Sequence, residues 1–196
     1  MLLAAVAVVV AFLLGSIPFG VLFARARGID LRTIGSGNIG ATNAARALGK
    51  RTGLLVFLLD GGKGLAPVLV AGRLFAAHPH GPWIVAAVGF AAFLGHLFPP
   101  WLRGRGGKGV ATAFGVFVAL APWPALIAGL VFALTYALFR LSSLGSLLGA
   151  TAFVPALYAR GGDPASLSLA GAIWLFIMIR HRDNLRRLIR GAEHKV

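Results

Sequence analysis

The stretch LLAAVAVVVAFLLGSIPFGVLF, Leu2–Phe23, decides the fold. It carries no charged side chain and is long enough to cross the hydrocarbon of a bilayer, which takes roughly 17–25 apolar residues in a helix. No basic residue precedes it, and Arg25 and Arg27 follow directly. A cleavable signal peptide has the opposite arrangement, a charged stretch before the apolar one, so this segment reads as a retained membrane helix.

The rest of the chain has the same character. Of 196 residues, 58% are hydrophobic and 12% charged, against about 25% charged in a soluble domain. A chain this short cannot bury so much apolar surface in one aqueous core, which leaves lipid as the solvent. The hydrophobicity excludes disorder. The absence of cysteine excludes a disulfide scaffold, cysteine nucleophiles, iron–sulfur clusters and cysteine-ligated zinc. A net charge of +14 would suggest nucleic acid in a soluble protein, but in a membrane protein the placement of the charges matters more than their sum.

Further apolar runs predict spans near Gly53–Phe75, Pro82–Leu97, Val110–Ala121, Ala125–Phe139, Leu144–Tyr158 and Ala165–Ile179. The run at Val110 is short and is expected to borrow its first turn from the glycine-rich segment before it. With the amino terminus outside, segments 24–52, 98–109, 140–143 and 180–196 lie on the inner side. They hold all but Lys63, Arg73 and Arg160 of the 19 Lys and Arg, as the positive-inside rule requires. Seven spans fit this charge pattern better than six or eight. The outer connections are short, with Trp83 and Trp123 where an interfacial aromatic belt belongs. No repeat divides the chain. The expected fold class is an all-α integral membrane protein of seven transmembrane helices, amino terminus outside and carboxyl terminus cytoplasmic, forming one domain over 1–196.

Everything long, polar and glycine-rich therefore faces the cytoplasm. GSGNIGATNAAR (35–46) satisfies G-x-G-x-x-G through Gly35, Gly37 and Gly40, but a dinucleotide site needs a preceding strand and a βαβ unit, and a membrane helix stands here instead. What survives is a turn whose glycines expose backbone N–H groups. Ser36, Asn38, Thr42 and Asn43 add polar contacts, and Arg46 supplies a fork for an anionic oxygen pair. The plainer reading is a polar turn capping a short helix that begins near Asn38–Ala41.

In GHLFPPWLRGRGGKGVAT (95–112), Gly104, Gly106, Gly107 and Gly109 surround Lys108 at the start of an apolar helix. A helix N-terminus with a lysine beside it suits a phosphate. It is no Walker A loop, because Leu102 takes the place of the first glycine and Gly109 that of the magnesium-binding Ser/Thr. Arg103 reads as a headgroup anchor. Asp60 and Lys63, three apart inside an apolar span, share a helix face and are expected to neutralise each other. Ser143 has the position of an ordinary helix cap. In HRDNLRRL (181–188), His181, Asn184 and Arg187 follow at steps of three and share a face of a helix that continues the last span into water. Arg182, Arg186 and Arg190 read as surface anchors.

In order along the chain, GSGNIGATNAAR, DGGKG (60–64), GHLFPPWLRGRGGKGVATAFG (95–115), SSLG (142–145) and HRDNLRRL closely resemble the bacterial acyl-phosphate:glycerol-3-phosphate acyltransferase family PlsY. The resemblance implies seven membrane helices, an outward amino terminus and an active site on the inner (cytoplasmic) membrane face. It also implies transfer of a fatty acyl group from acyl phosphate to the 1-position of glycerol 3-phosphate, giving lysophosphatidic acid and phosphate, the first acylation of phospholipid synthesis. Carried over residue by residue, it implicates Ser36, Arg46, Lys108, Ser143, His181 and Asn184 as catalytic. Ile39, Arg105 and Leu141 stand where the family commonly has proline, lysine and tyrosine, and the alignment leaves Ser142 as the rival of Ser143. The His-x4-Asp signature of another acyltransferase family is absent. No cofactor, metal, acyl carrier or nucleic-acid partner is implied; the partners are the two substrates and the bilayer, with a single copy of the chain as the simplest assembly.

The substrate-binding set expected around these residues is Gly35, Gly37, Asn38, Thr42, Asn43, Gly104, Gly106, Gly107, Gly109 and Arg187. Acyl phosphate is an activated mixed anhydride, so the chemistry needs two anions positioned, developing charge stabilised and one hydroxyl proton removed. Lys108 and the amides of the surrounding glycines are expected on the acyl phosphate, with Ser36 and Asn38 contributing. Arg46, His181 and Asn184 are expected on glycerol 3-phosphate, with Ser143 orienting it. The proton passes to the acyl phosphate itself or to His181. Two other classes compete. An anion transporter would place its site near the midplane, and a membrane scaffold would need neither glycine loop.

Overall fold

The structure is a computed structural model and describes residues 1–195. It is helical, with no strand among the described residues. The α-helices are α1 (Leu2–Gly15), α2 (Phe19–Arg25), α3 (Ala41–Leu48), α4 (Lys50–Leu74), α5 (Gly81–Leu97), α6 (Val110–Leu120), α7 (Pro122–Phe139), α8 (Ser142–Ala159), α9 (Pro164–Arg180) and α10 (Arg182–Ile189). Five stretches are long and apolar enough to cross a membrane: α1 with α2, α4, α5 with the short 3-10 turn after it, α7 and α8. The bent pair α9–α10 makes a sixth candidate, and α6 is apolar but short. The helix boundaries lie close to those expected from hydropathy, with three differences.

The first apolar stretch is broken at Ser16–Pro18. Proline has no N–H to donate and displaces the carbonyl one turn back, so the break leaves polar backbone inside an apolar layer, where each unsatisfied group is expensive. Long-range partners cover it. Lys63 Nζ donates to the Ile17 carbonyl at 2.7 Å. The Ser16 hydroxyl donates to Leu13 O at 2.6 Å and accepts from Trp101 Nε1 at 2.7 Å. Lys63 in turn needs a counter-charge, and Asp60 Oδ1 stands 2.7 Å away. The expected Asp60–Lys63 pair is therefore present, and its work is to close the break between α1 and α2.

Secondly, α6 borrows nothing from the loop before it. Gly109, at φ 81°, ends the loop in a left-handed conformation, and the helix starts at Val110. Thirdly, the carboxyl-terminal segment does not continue the last span: α10 turns away from α9 by 59° at His181.

Glycines set how closely the bundle packs. α1 lies on α5 where a Cβ on Gly15 would sit 2.0 Å from the Ala92 carbonyl oxygen, and α4 lies on α6 where a Cβ on Gly115 would sit 1.9 Å from that of Gly61. Small residues let membrane helices approach to backbone contact, since lipid supplies no hydrophobic force between them. The core they enclose centres on Val88, Phe93, Leu97, Val116 and Ile173. Leu126, Ile127, Leu130, Leu134 and Leu138 of α7 stay exposed, as a lipid-facing surface does.

Candidate active site

Four segments far apart in sequence meet at one end of the bundle. The first is the loop before α3. Asn43 is its clasp: its Oδ1 accepts from the Ser36 N–H at 3.0 Å, and its Nδ2 donates to the carbonyls of Leu31 and Ile34, both at 2.9 Å. Gly35, at φ 57°, must be glycine because a Cβ there would meet Asn43 Oδ1 at 2.4 Å. The clasp leaves Ser36 and Asn38 at the rim, while α3 projects Thr42 and Arg46. The Thr42 and Ser142 hydroxyls pair at 2.9 Å, tying α3 to the start of α8.

The second segment is the glycine loop between α5 and α6. The Gly106 and Gly107 N–H groups donate backwards, to the carbonyls of Leu97 and His96, both at 3.1 Å. Their own carbonyls accept from Arg180: Nη2 reaches Gly106 O at 2.7 Å and Gly107 O at 2.9 Å, and Nε reaches Gly107 O at 3.1 Å. The expectation that these two amides cradle an anion is thus corrected. They cap the end of α5, whose last carbonyls have no partner within the helix. What the loop presents is Lys108, Gly109 and the amino-terminal turn of α6, whose first amides lack helical acceptors.

The third segment is the start of α8. Leu141, not a serine, occupies the cap position, so the expected capping role of Ser143 is corrected. Its hydroxyl is buried, outside full hydrogen-bonding geometry to any described residue, but close enough to Glu193 to help stabilise that carboxylate. The fourth is the bend between α9 and α10. His181 Nδ1 lies 2.8 Å from the Ile177 carbonyl. A carbonyl only accepts, so Nδ1 carries the hydrogen and Nε2 keeps a lone pair. Asn184 is buried, with its Oδ1 on Lys108 Nζ and its Nδ2 donating to Glu193 Oε1 at 2.7 Å. Arg187 Nε holds the other Glu193 oxygen at 2.8 Å, and Arg46 donates to the His194 carbonyl at 3.1 Å.

These groups surround one cavity of about 380 Å³, bordered by Ser36, Asn38, Thr42, Asn43, Arg46, Lys108, Gly109, Ser143, His181, Asn184 and Glu193. Its other walls are apolar, with Phe57, Phe114, Phe117, Phe132, Phe153, Ile173 and Trp174. Gly37, Gly104, Gly106, Gly107 and Arg187 of the expected binding set lie off its wall, as does Gly35. Asp60 and His96 border it too, with His96 Nδ1 3.7 Å from Asp60 Oδ1.

Burial and charge tune the groups at the mouth. Burial lowers the Lys108 ammonium to about 8. Glu193 opposes that fall, and Arg187, Arg46 and Arg180 add to it. Burial, with Lys108 close by, lowers His181 to about 4, so its ring is neutral at pH 7. Burial tends to raise the Glu193 carboxyl, but hydrogen bonds from Arg187, Asn184 and Ser143 outweigh it and hold the group below the usual glutamate range.

Sequence reasoning missed Arg180 and Glu193. Arg180 looked like one more inner-face arginine, and Glu193 sits in a polar tail with no periodicity. The signal available was that Glu193 is the only glutamate in the sequence.

Residues 5–191 match the family described as Glycerol-3-phosphate acyltransferase. A glycerol-3-phosphate acyltransferase of Anaeromyxobacter sp. (strain K) is 55% identical over 100% of this chain and 98% of its own length. Two crystal structures of PlsY (YgiH), an integral membrane glycerol 3-phosphate acyltransferase, share 42% identity with this chain. The glycerol 3-phosphate form superposes with a TM-score of 0.94, covering 98% of this chain and 95% of the other. The lysophosphatidic acid form gives 0.91, covering 98% and 94%. With the match running through every segment that builds the cavity, the chain belongs to the glycerol-3-phosphate acyltransferase (PlsY) family of integral membrane enzymes.

Proposed function

We propose that the protein transfers a fatty acyl group from acyl phosphate to the 1-hydroxyl of glycerol 3-phosphate, releasing phosphate and lysophosphatidic acid at the cytoplasmic face of a seven-span protein in the bacterial inner membrane. The observation that carries this reading is one cavity that is cationic and polar at its mouth and apolar in its body. A soluble phosphate ester and an acyl chain both find a place in it. The side assignment rests on the basic residues, nearly all in segments that the seven-span arrangement puts inside.

Lys108 and the first amides of α6 hold the phosphoryl group of the donor. A full charge and a helix amino terminus then converge on the leaving group as its negative charge grows. Ser36 and Asn38 stand at the rim beside it. Arg46, His181 and Asn184 hold glycerol 3-phosphate, and the Ser143 hydroxyl, beside Glu193, orients it. The 2-hydroxyl of glycerol 3-phosphate donates to His181 Nε2, which leaves the hydrogen of the attacking 1-hydroxyl directed at the donor phosphate. As the carbonyl carbon forms its new C–O bond and the C–O bond to phosphate breaks, the hydroxyl proton passes to an oxygen of the departing phosphate. A neutral imidazole held near 4 is a weak base at pH 7, which favours this route over transfer to His181.

Mixing purified protein with palmitoyl phosphate and glycerol 3-phosphate tests the reading: phosphate and lysophosphatidate form in equal amounts. Lysophosphatidate formed from a palmitoyl thioester but not from palmitoyl phosphate would overturn the donor assignment.

Replacing His181 by glutamine lowers turnover by roughly tenfold, the worth of one neutral hydrogen bond of about 1–1.5 kcal/mol. The ratio of wild-type to variant turnover stays constant between about pH 5.5 and 7.5, because the ring does not titrate there. A ratio that falls toward acid through pH 6–7 would make His181 the base. Glu193→Ala frees the Asn184 amide and Arg187 together, and raises KM for glycerol 3-phosphate by roughly tenfold or more, in line with about 1.5–3 kcal/mol for a charge-assisted bond. Glu193→Gln, which still accepts from Asn184, recovers part of the loss in a steady-state titration.

A further inference from the structure

The apolar body of the cavity has a floor. Phe117 of α6 and Phe153 of α8 lie with ring centroids 4.0 Å apart, tilted by 30°. Both are buried and both border the cavity, as do Ala125 and Ala170, each 1% exposed. The floor sits at a definite depth. Along α8, Ser143 at the mouth and Phe153 are ten residues apart, about 15 Å of helix, and along α9, His181 and Ala170 are separated by about 16 Å. Beyond the floor, Leu120 and Leu157 border a second cavity of about 310 Å³ that also touches Arg160 and Asp163. Leu157 follows Phe153 by one helical turn and Leu120 follows Phe117 by three residues, so the aromatic pair and then these leucines separate the two cavities.

We infer that Phe117 and Phe153, with Ala125 and Ala170 beside them, are the specificity-determining residues that set the length of acyl chain the enzyme accepts. This rests on the acyl-transfer reading above, since the floor measures a chain whose head is anchored at Lys108. With the reacting carbonyl fixed at the mouth, a chain that just reaches the rings buries all of its methylenes. A longer one must buckle or displace a buried aromatic pair, and a shorter one leaves apolar wall uncovered. A pocket that closes on the end of a chain discriminates by roughly tenfold or more per methylene.

The test is the profile of kcat/KM against donor length, from octanoyl to stearoyl phosphate, with glycerol 3-phosphate saturating. Phe153→Ala deepens the floor toward Leu157 and moves the optimum to longer donors, by at least two carbons. Ala170→Leu thickens the floor and moves the optimum the other way. Phe153→Leu keeps the site filled with apolar atoms and gives a smaller shift toward longer donors, covering the case in which the alanine variant does not fold. KM for glycerol 3-phosphate stays at the wild-type value in every folded variant, which a general loosening of the bundle would not allow. Folded variants whose profile coincides with the wild type would overturn the ruler and leave the acyl-transfer reading standing. A wild-type protein that uses no acyl phosphate of any length would overturn both.

Discussion

Alanine at Lys108 lowers kcat/KM for the acyl-phosphate reaction by roughly 10²–10³, the usual cost of removing one preorganised group from a developing negative charge, while the protein stays folded. The reason lies in the surroundings of the ammonium. It sits at the amino terminus of α6 with its Nζ on Asn184 Oδ1, it is partly shielded from water, and no carboxylate bonds to it directly among the described residues. Burial lowers it to about 8, so the empty site carries the charge below that pH and loses it above. The sign follows: kcat/KM falls as pH rises through about 8. In kcat the same limb moves higher, because a bound phosphate favours the charged form. Lys108→Arg, which does not titrate in this range, abolishes the alkaline limb at reduced rate. The folded protein also disfavours this charge relative to the unfolded chain, so Lys108→Ala unfolds at no lower a temperature than the wild type. Activity of the alanine variant within about threefold of wild type, well under 1 kcal/mol, would remove Lys108 from the phosphate site.

Asp60→Ala has the largest expected effect on stability, a loss of about 3–5 kcal/mol, because it strands Lys63 as an uncompensated charge in the middle of a helix bundle. For a chain of this size that is a fall in unfolding temperature of roughly 10 °C, readable by thermal denaturation in detergent. Lys63→Met strands Asp60 and also the Ile17 carbonyl. The double variant Asp60→Ala/Lys63→Met recovers a large part of either single loss, since replacing both members of a buried pair by apolar groups is close to neutral. It still falls short of wild type by about 1–3 kcal/mol, the desolvation cost of leaving the carbonyl of the α1–α2 break without a donor. A single Asp60→Ala loss below about 1 kcal/mol, or a double variant no better than the singles, would show that the pair does not hold the break closed.

Much of the fold was legible because lipid imposes a length and a polarity on every spanning segment. The runs at Gly53, Pro82, Val110, Ala125, Leu144 and Ala165 each became a helix within a few residues of the expected ends. The break at Ser16–Pro18 was less legible. Proline marked it, but the apolar run continued on both sides, and its partners, Lys63 and Trp101, are distant in sequence. Among site residues, Arg46, Lys108, Ser143, His181 and Asn184 stood out as polar groups at helix ends on one face, and they do meet at one cavity. Gly106 and Gly107 were misread for a reason local patterns cannot supply. A glycine shows that the backbone turns tightly, not which way its N–H points, and here the end of α5 and the Arg180 side chain take both polar groups of each residue. Asn43 and Arg187 have the chemistry to touch an anion and also have work inside the protein, one clasping a loop at the cavity border and the other holding Glu193.

The amino-acid sequence by itself determined the membrane setting, the placement of the helices and the gathering of phosphate-type groups on one side, because hydropathy and charge are properties of segments and need no neighbours. Only the tertiary structure decided which backbone amides stay free, that Arg180 and Glu193 frame the cavity, that His181 Nε2 keeps a lone pair, and where the apolar cavity stops. Those depend on which groups from distant segments come within hydrogen-bonding or van der Waals range, and such distances exist only once the helices have packed.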